Sequence, residues 1–124
     1  MSFNNLGLSH ELKQAIESKG YSNPSEIQQQ AIPSILQGND IMAGAQTGTG
    51  KTAAFALPIL QRLQNDESKR RRVRTLVLVP TRELASQVGD SFRRYGKNLR
   101  FRTSTLYGGV SIKTQIDKLK KGVD

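Results

Sequence analysis

Cysteine is absent from the 124 residues. Without thiols there is neither a disulfide framework nor a thiolate metal site, which suits a reducing compartment. Histidine occurs once, as His10. With no second histidine to share a metal, it is assigned no function. No run approaches the ~18 apolar residues that a membrane-spanning helix needs. The opening MSFNNLGLSHEL lacks the charged and apolar regions of a secretory signal. These absences predict a soluble, cytoplasmic protein with no membrane partner. Negative charge is also scarce, with 10 acidic residues against 19 basic ones and a net charge of +9. Such a balance favours polyanions, whether nucleic acid, nucleotide or acidic membrane, although a basic solvated surface has the same composition. The densest basic run, KRRRVR at Lys69 to Arg74, reads as an exposed loop.

A chain of this length is one modest domain at most, large enough for a real core. LSHELKQAIESKG reads as a helix capped by Ser9, with Leu12, Ala15 and Ile16 on one face and Gly20 as its stop. A second helical stretch runs from about Pro24 to Gln37, where Pro33 should bend or split it. DIMAGA reads as a short buried strand, and KTAAFALPILQRLQ as an apolar helix with a kink at Pro58. Leu76 to Val79 in RTLVLVP form the clearest strand, apolar enough for burial on both faces as in a parallel sheet. TRELASQVGDSFRRYG is a helix capped by Thr81. RFRTSTLYGG alternates and is β-rich. SIKTQIDKLKKG is a last helix with Ile112, Ile116 and Leu119 on one stripe. Two helices followed by strand–helix units predict an α/β fold, a parallel sheet with helices on both faces. The end at KKGVD reads as an incomplete domain, residues 1–124 being its N-terminal portion.

The chemistry concentrates in AQTGTGKT, Ala45 to Thr52. A phosphate-binding loop is G-x-x-x-x-G-K-[ST], between a strand and a helix. Here Ala45 holds the first glycine's place, and Gly44 lies one position too early. Glycine is obligatory only where φ is positive or space is lacking, so Ala45 is tolerable at negative φ. Gly48 and Gly50 let the backbone approach phosphate oxygens. Lys51 supplies a charge for the β- and γ-phosphates, and Thr52 a hydroxyl for Mg²⁺. Without the strand–loop–helix context, the run would be an ordinary Gly/Thr turn.

AQTGTGKT, with Ala in the first position, resembles motif I of the DEAD-box RNA helicases. GYSNPSEIQ, Gly20 to Gln28, is similar to the family's adenine-sensing Q motif, with Phe3 upstream where the family has an aromatic. PTRELA, Pro80 to Ala85, resembles motif Ia, and Gly108–Gly109 the GG element. The flavour is that of the bacterial RhlE-like members. The resemblance implies a RecA-like P-loop NTPase domain with the Q motif at about 3–28, Walker A at 45–52, motif Ia at 80–85 and GG at 108–109. It implies nucleotide contacts by Phe3, Tyr21, Gln28, Ala45, Gln46, Thr47, Gly48, Thr49, Gly50, Lys51 and Thr52, with Lys51 and Thr52 catalytic. RNA-backbone contacts would come from Pro80, Thr81, Arg82, Gly108 and Gly109. ATP and Mg²⁺ are the implied cofactors, RNA is the implied partner, and ribonucleoprotein partners are unspecified.

On their own chemistry, Gln28 has an amide suited to adenine N6–H and N7, and Tyr21 has a face on which a base could stack. Read without the family, Gln28 is a helix-surface glutamine beside Gln29 and Gln30, and Tyr21 and Phe3 are packing residues. Thr81 and Arg82 are then a helix cap and a solvated arginine, and Gly108–Gly109 a tight turn. No apolar strand ends in the Asp or Glu that would hold Mg²⁺, and the family's D-E-A-D, S-A-T and T-P-G-R elements do not occur in these residues. Three functions stay open: a portion of an ATP-dependent RNA helicase, a P-loop ATPase not acting on nucleic acid, and a non-catalytic nucleotide-binding module.

Overall fold

A computed structural model describes residues 2–66 and 72–124. A 3-10 turn, Phe3–Asn5, leads into α1 (His10–Ser18), α2 (Glu26–Leu36), α3 (Lys51–Asn65), α4 (Arg82–Tyr95) and α5 (Ile112–Lys120). The caps are the expected ones. Ser9 Oγ accepts from Leu12 N–H at 3.4 Å, and Thr81 Oγ1 from Leu84 N–H at 3.1 Å. Neither Pro33 nor Pro58 splits its helix; α2 and α3 run through them without a break. Pro58 is fully buried in the core face of α3, where packing outweighs the lost ladder bond.

The core is helical. Leu12 and Ile16 of α1, Ile32 of α2, Leu57 and Leu60 of α3, and Val88, Phe92 and Tyr95 of α4 form one buried cluster with Phe3, Leu6 and Leu8. α3 lies between α2 and α4, and the Phe55 and Phe92 rings meet at 6.1 Å between centroids. Gln61 is buried but satisfied: its Oε1 accepts from Ser9 N–H at 2.7 Å and its Nε2 donates to Asn65 Oδ1 at 2.9 Å. Truncating a fully buried leucine here, such as Leu57, costs about 2–5 kcal/mol.

The expected strands differ. Among the described residues no strand is assigned; residues 40–46, 72–79 and 101–107 carry no regular secondary structure. DIMAGA is not buried, with Met42 fully exposed. Leu76 to Val79 are not covered on both faces: Leu76 is 77% and Leu78 86% exposed, and Val79 alone packs on the core. A strand is buried on both faces only when layers pack over the sheet that it joins, and among the described residues backbone pairing of this segment is seen at one point. Asp124 C=O accepts from Arg74 N–H (2.8 Å) and Thr75 N–H (3.1 Å), and Asp124 N–H donates to Arg102 C=O (3.0 Å). The apolar stripe of α5 is exposed for the same want of a covering layer.

The basic run is also corrected in part. Lys69, Arg70 and Arg71 lie outside the described residues. Arg74 is not a loop charge: its guanidinium bonds Asp66 at 3.0 Å and Asp124 at 2.9 Å, with 13% of its side chain exposed. Burial opposes its charge, but the two carboxylates outweigh burial and hold it protonated.

Candidate functional site

The turn at residues 47–49 and the N-terminus of α3 form one wall of a cleft of about 1150 Å³. Gly48 has φ +85° and Gly50, the N-cap of α3, has φ +81°. Both positions need glycine. No other residue type among the described residues has positive φ, so Ala45 occupies a conformation open to any residue. Lys51 starts α3 and is exposed; its Nζ donates to Ala45 C=O at 2.7 Å, closing the loop on itself. Thr49 Oγ1 donates to Gln46 C=O at 2.6 Å. Thr47 and Gly48 are exposed, and Thr52 is half-buried beside Lys51. A helix N-terminus with free N–H groups, a positive dipole end and an adjacent ammonium is an anion site by construction.

Gln28 forms the other wall. It is 6% exposed, not the surface glutamine that its Gln neighbours suggest. Its Oε1 accepts from Ser25 N–H at 2.9 Å, and its Nε2 donates to Gly50 C=O at 3.1 Å. A Cβ at Gly50 would run into that Nε2. α2 and the loop are thus in direct contact through one amide. Tyr21, 49% exposed, lines the same cleft. Phe3 does not reach it. Its ring is buried in the core and borders a separate cavity of about 350 Å³, which shares Tyr21.

Two cleft residues escaped sequence reading. Lys19 Nζ lies 4.5 Å from the Tyr95 ring centroid and 5.7 Å from that of Tyr21. Tyr95, at the end of α4, is pushed up to about 12 by burial and by Tyr21. Lys19 is shifted down by burial and by the charge of Arg94. The spacing of Lys19 and Tyr21 was a faint local signal; Tyr95 had none, because only the packing of α4 on α1 brings it in.

A second cluster lies at the start of α4. Pro80 lines the cleft, and Thr81 caps the helix. The Arg82 guanidinium sits 4.9 Å from the Tyr107 ring centroid. A Cβ at Gly109, where φ is +79°, would lie 3.2 Å from Arg82 Nη1. Gly108 is exposed, with open space around it. Gln115 of α5 bonds both backbone groups of Tyr107, accepting from N–H at 3.0 Å and donating to C=O at 3.1 Å. The elements PTRELA and GG, far apart in sequence, therefore meet. Tyr107 and Gln115 were missed; nothing in their local pattern marks them.

The sequence profile of the DEAD/DEAH box helicase family matches residues 25–124. The chain belongs to that family. Among curated relatives, the DEAD-box ATP-dependent RNA helicase RhpA of Helicobacter pylori is 48% identical over 120 residues, covering 97% of this chain and 24% of the relative. CshA of Bacillus cereus is also 48% identical, over 97% of the chain and 22% of the relative. The chain thus spans about a quarter of the length of these relatives. Among solved structures, the RNA helicase Prp28 of Chaetomium thermophilum bound to ADP superposes with a TM-score of 0.85 at 36% identity, over 98% of this chain and 30% of that one. A hypothetical ATP-dependent RNA helicase from Sulfolobus tokodaii gives 0.80 at 36% identity, over 93% and 32%. This DEAD/DEAH box helicase chain has the P-loop NTPase, RecA-like fold.

Proposed function

We propose that these residues are the nucleotide- and RNA-binding portion of a cytoplasmic ATP-dependent RNA helicase, coupling ATP binding and hydrolysis to local opening of RNA duplexes. The observation that carries it is the shared cleft, in which the Gln28 amide touches the loop that presents Lys51 and Thr52. The helicase relatives support the reading, and the alternatives without RNA do not explain why Arg82 and Gly109 meet.

The residues fit an adenine nucleotide. A side-chain amide has two N–H groups and two acceptor lone pairs. Ser25 N–H and Gly50 C=O use one of each and fix the amide's orientation. One donor and one acceptor remain, the complement of adenine N7 and N6–H. Guanine offers N7 and O6, two acceptors, and leaves the lone pair unmatched. Tyr21 supplies the stacking face, and Gly48 and Gly50 open the backbone to the phosphates. Lys51 exchanges Ala45 C=O for a phosphate oxygen. Thr52 presents a hydroxyl suited to Mg²⁺, whose chemistry is to neutralise charge developing on the phosphates. Among the described residues no group of three or more His, Cys, Asp or Glu is placed to hold a metal ion, so Thr52 is the loop residue that would offer Mg²⁺ a ligand.

In the same reading, residues 40–46, 72–79 and 101–107 become strands of a parallel sheet covered by helices on both faces, with the step at Asp124 as the start of its pairing. Pro80, Thr81, Arg82, Gly108 and Gly109 contact the RNA backbone without reading bases. The test is ADP binding by calorimetry. Lys51→Ala should lose about 10- to 100-fold, the worth of a hydrogen bond to a charged group. Equal affinity in the two proteins would remove the phosphate loop from the account.

A further inference from the structure

We propose that Gln115, acting through Tyr107, is a positioning residue for Arg82. The inference rests on the reading above that Arg82 meets an RNA phosphate.

α5 buries no side chain, and its apolar residues face outward. Its one half-buried residue is polar: Gln115. That amide takes hold of Tyr107 as a neighbouring strand would, with an acceptor for its N–H at 3.0 Å and a donor for its C=O at 3.1 Å. The second N–H of the amide reaches Ser111 C=O at 3.3 Å. Both ends of the turn over residues 107–111 are therefore tied to one side chain. The turn carries the two groups that confine Arg82: the Tyr107 ring, 4.9 Å from the guanidinium, and the α-carbon of Gly109, whose missing Cβ leaves room for Nη1.

Among the described residues the Arg82 guanidinium has no hydrogen bond or ion pair. The ring holds it by its face and leaves all five N–H donors free at the rim. A free arginine loses rotamer freedom when it grips a phosphate; an arginine already stacked has lost much of it beforehand. Gln115 needs no contact with RNA for this. Its length and amide chemistry suffice: Asn is too short for the same reach, and Glu lacks the donor that Tyr107 C=O requires.

The experiment measures binding of fluorescent polyuridine RNA by anisotropy at low salt, with ADP affinity measured in parallel. Arg82→Ala, Gln115→Leu, their double mutant, Tyr107→Phe and Tyr107→Leu are compared with the wild type. Gln115→Leu and Tyr107→Leu should each weaken RNA binding by about three- to tenfold, the cost of ordering one long side chain. Tyr107→Phe keeps the ring face and should bind as the wild type does, and ADP affinity should hold throughout. In the Arg82→Ala background Gln115→Leu should have no further effect, because the group it positions is gone. A full effect of Gln115→Leu in that background, or a matching loss of ADP affinity, would mark Gln115 as structural only and overturn the proposal. So would undiminished RNA binding by Gln115→Leu while Arg82→Ala binds weakly. If Arg82→Ala itself binds RNA normally, the underlying RNA assignment of Arg82 fails, and this inference with it.

Discussion

Gln28 Nε2 donates to the carbonyl of Gly50 at 3.1 Å, so α2 and the loop at the N-terminus of α3 share a hydrogen bond. Gly50 is at once the N-cap of α3, a residue with φ +81°, and the floor against which the amide rests. A perturbation at either end must therefore be felt at the other.

Gly50→Ala should lower stability by about 1–3 kcal/mol, since the left-handed conformation alone costs an L-residue roughly 1–2 kcal/mol. It should also displace the Gln28 amide, which the new methyl group would strike. Denaturant unfolding of Gly50→Ala, Gln28→Ala and the double mutant checks this. Strain at φ +81° persists in the double mutant while the clash disappears, so the two costs should sum to more than the double mutant shows. Strict additivity would mean that the contact carries no strain.

Alkaline pH tests the packing of α4 on α1. Tyr95 is 4% exposed, and its hydroxyl is pushed from 10.0 to about 12 by burial and by Tyr21. A folded-state value above the unfolded one means that the neutral phenol is favoured in the fold. Its contribution is full below pH 10 and is lost as pH rises through about 12. Lys19 works in the opposite sense, because its charge is disfavoured in the fold by burial and Arg94. Thermal melts between pH 9 and 12 should fall steeply for the wild type and less for Tyr95→Phe. An equal fall in both would place the alkaline sensitivity elsewhere.

The helices were legible because their signals are local. Ser9 and Thr81 cap where a hydroxyl before an apolar face should cap, and Gly20 stops α1 at positive φ. The conformation of the 45–52 loop was legible for the same reason: Gly48 and Gly50 have positive φ and Ala45 does not. The strands were over-read. An apolar run such as Leu76 to Val79 states what the backbone would do inside a covered sheet, and among the described residues the backbone pairing stops just before it, where Arg74 and Thr75 meet Asp124. Pro33 and Pro58 did not split their helices, and at Pro58 burial in the core offsets the propensity cost of proline. Lys19 left only a faint local signal, and Tyr95, Tyr107 and Gln115 left none. Each matters through a partner that only packing or a long-range hydrogen bond supplies, such as Lys19 against Tyr95 across the α1–α4 contact.

RNA binding should be salt-sensitive and indifferent to sequence, because the proposed reading has the groups gathered at the start of α4 meet phosphates and none read a base edge. On single strands the slope of log affinity against log salt is about −0.7 for each phosphate neutralised. Titrations of polyuridine and polyadenine at several salt concentrations should give parallel lines. Arg82→Ala should make the slope shallower by about 0.7. A flat salt response of the wild type would show that its contacts are not made to phosphates.

Base choice should rest on Gln28, and here the structure sharpens the expectation. The amide has one free donor and one free acceptor, so it discriminates adenine from guanine by about 1–3 kcal/mol, as a good bidentate pair does. It also braces Gly50. Gln28→Ala should therefore do two things: erase most of the preference for ADP over GDP, and weaken both nucleotides by a further modest factor as Gly50 C=O loses its donor, worth about 1 kcal/mol. Competition binding of ADP and GDP to the wild type and Gln28→Ala separates the effects, since the first changes a ratio and the second an absolute affinity. These 124 residues should meanwhile show no steady-state ATP turnover: on the proposed reading Lys51 and Thr52 meet phosphate and Mg²⁺, and no apolar run of the sequence ends in the Asp or Glu that would hold the ion from the other side. An unchanged ADP-to-GDP ratio in Gln28→Ala would reduce Gln28 to a brace for the loop. Clear turnover would mean that a carboxylate of this chain reaches Mg²⁺ in a conformation other than this one.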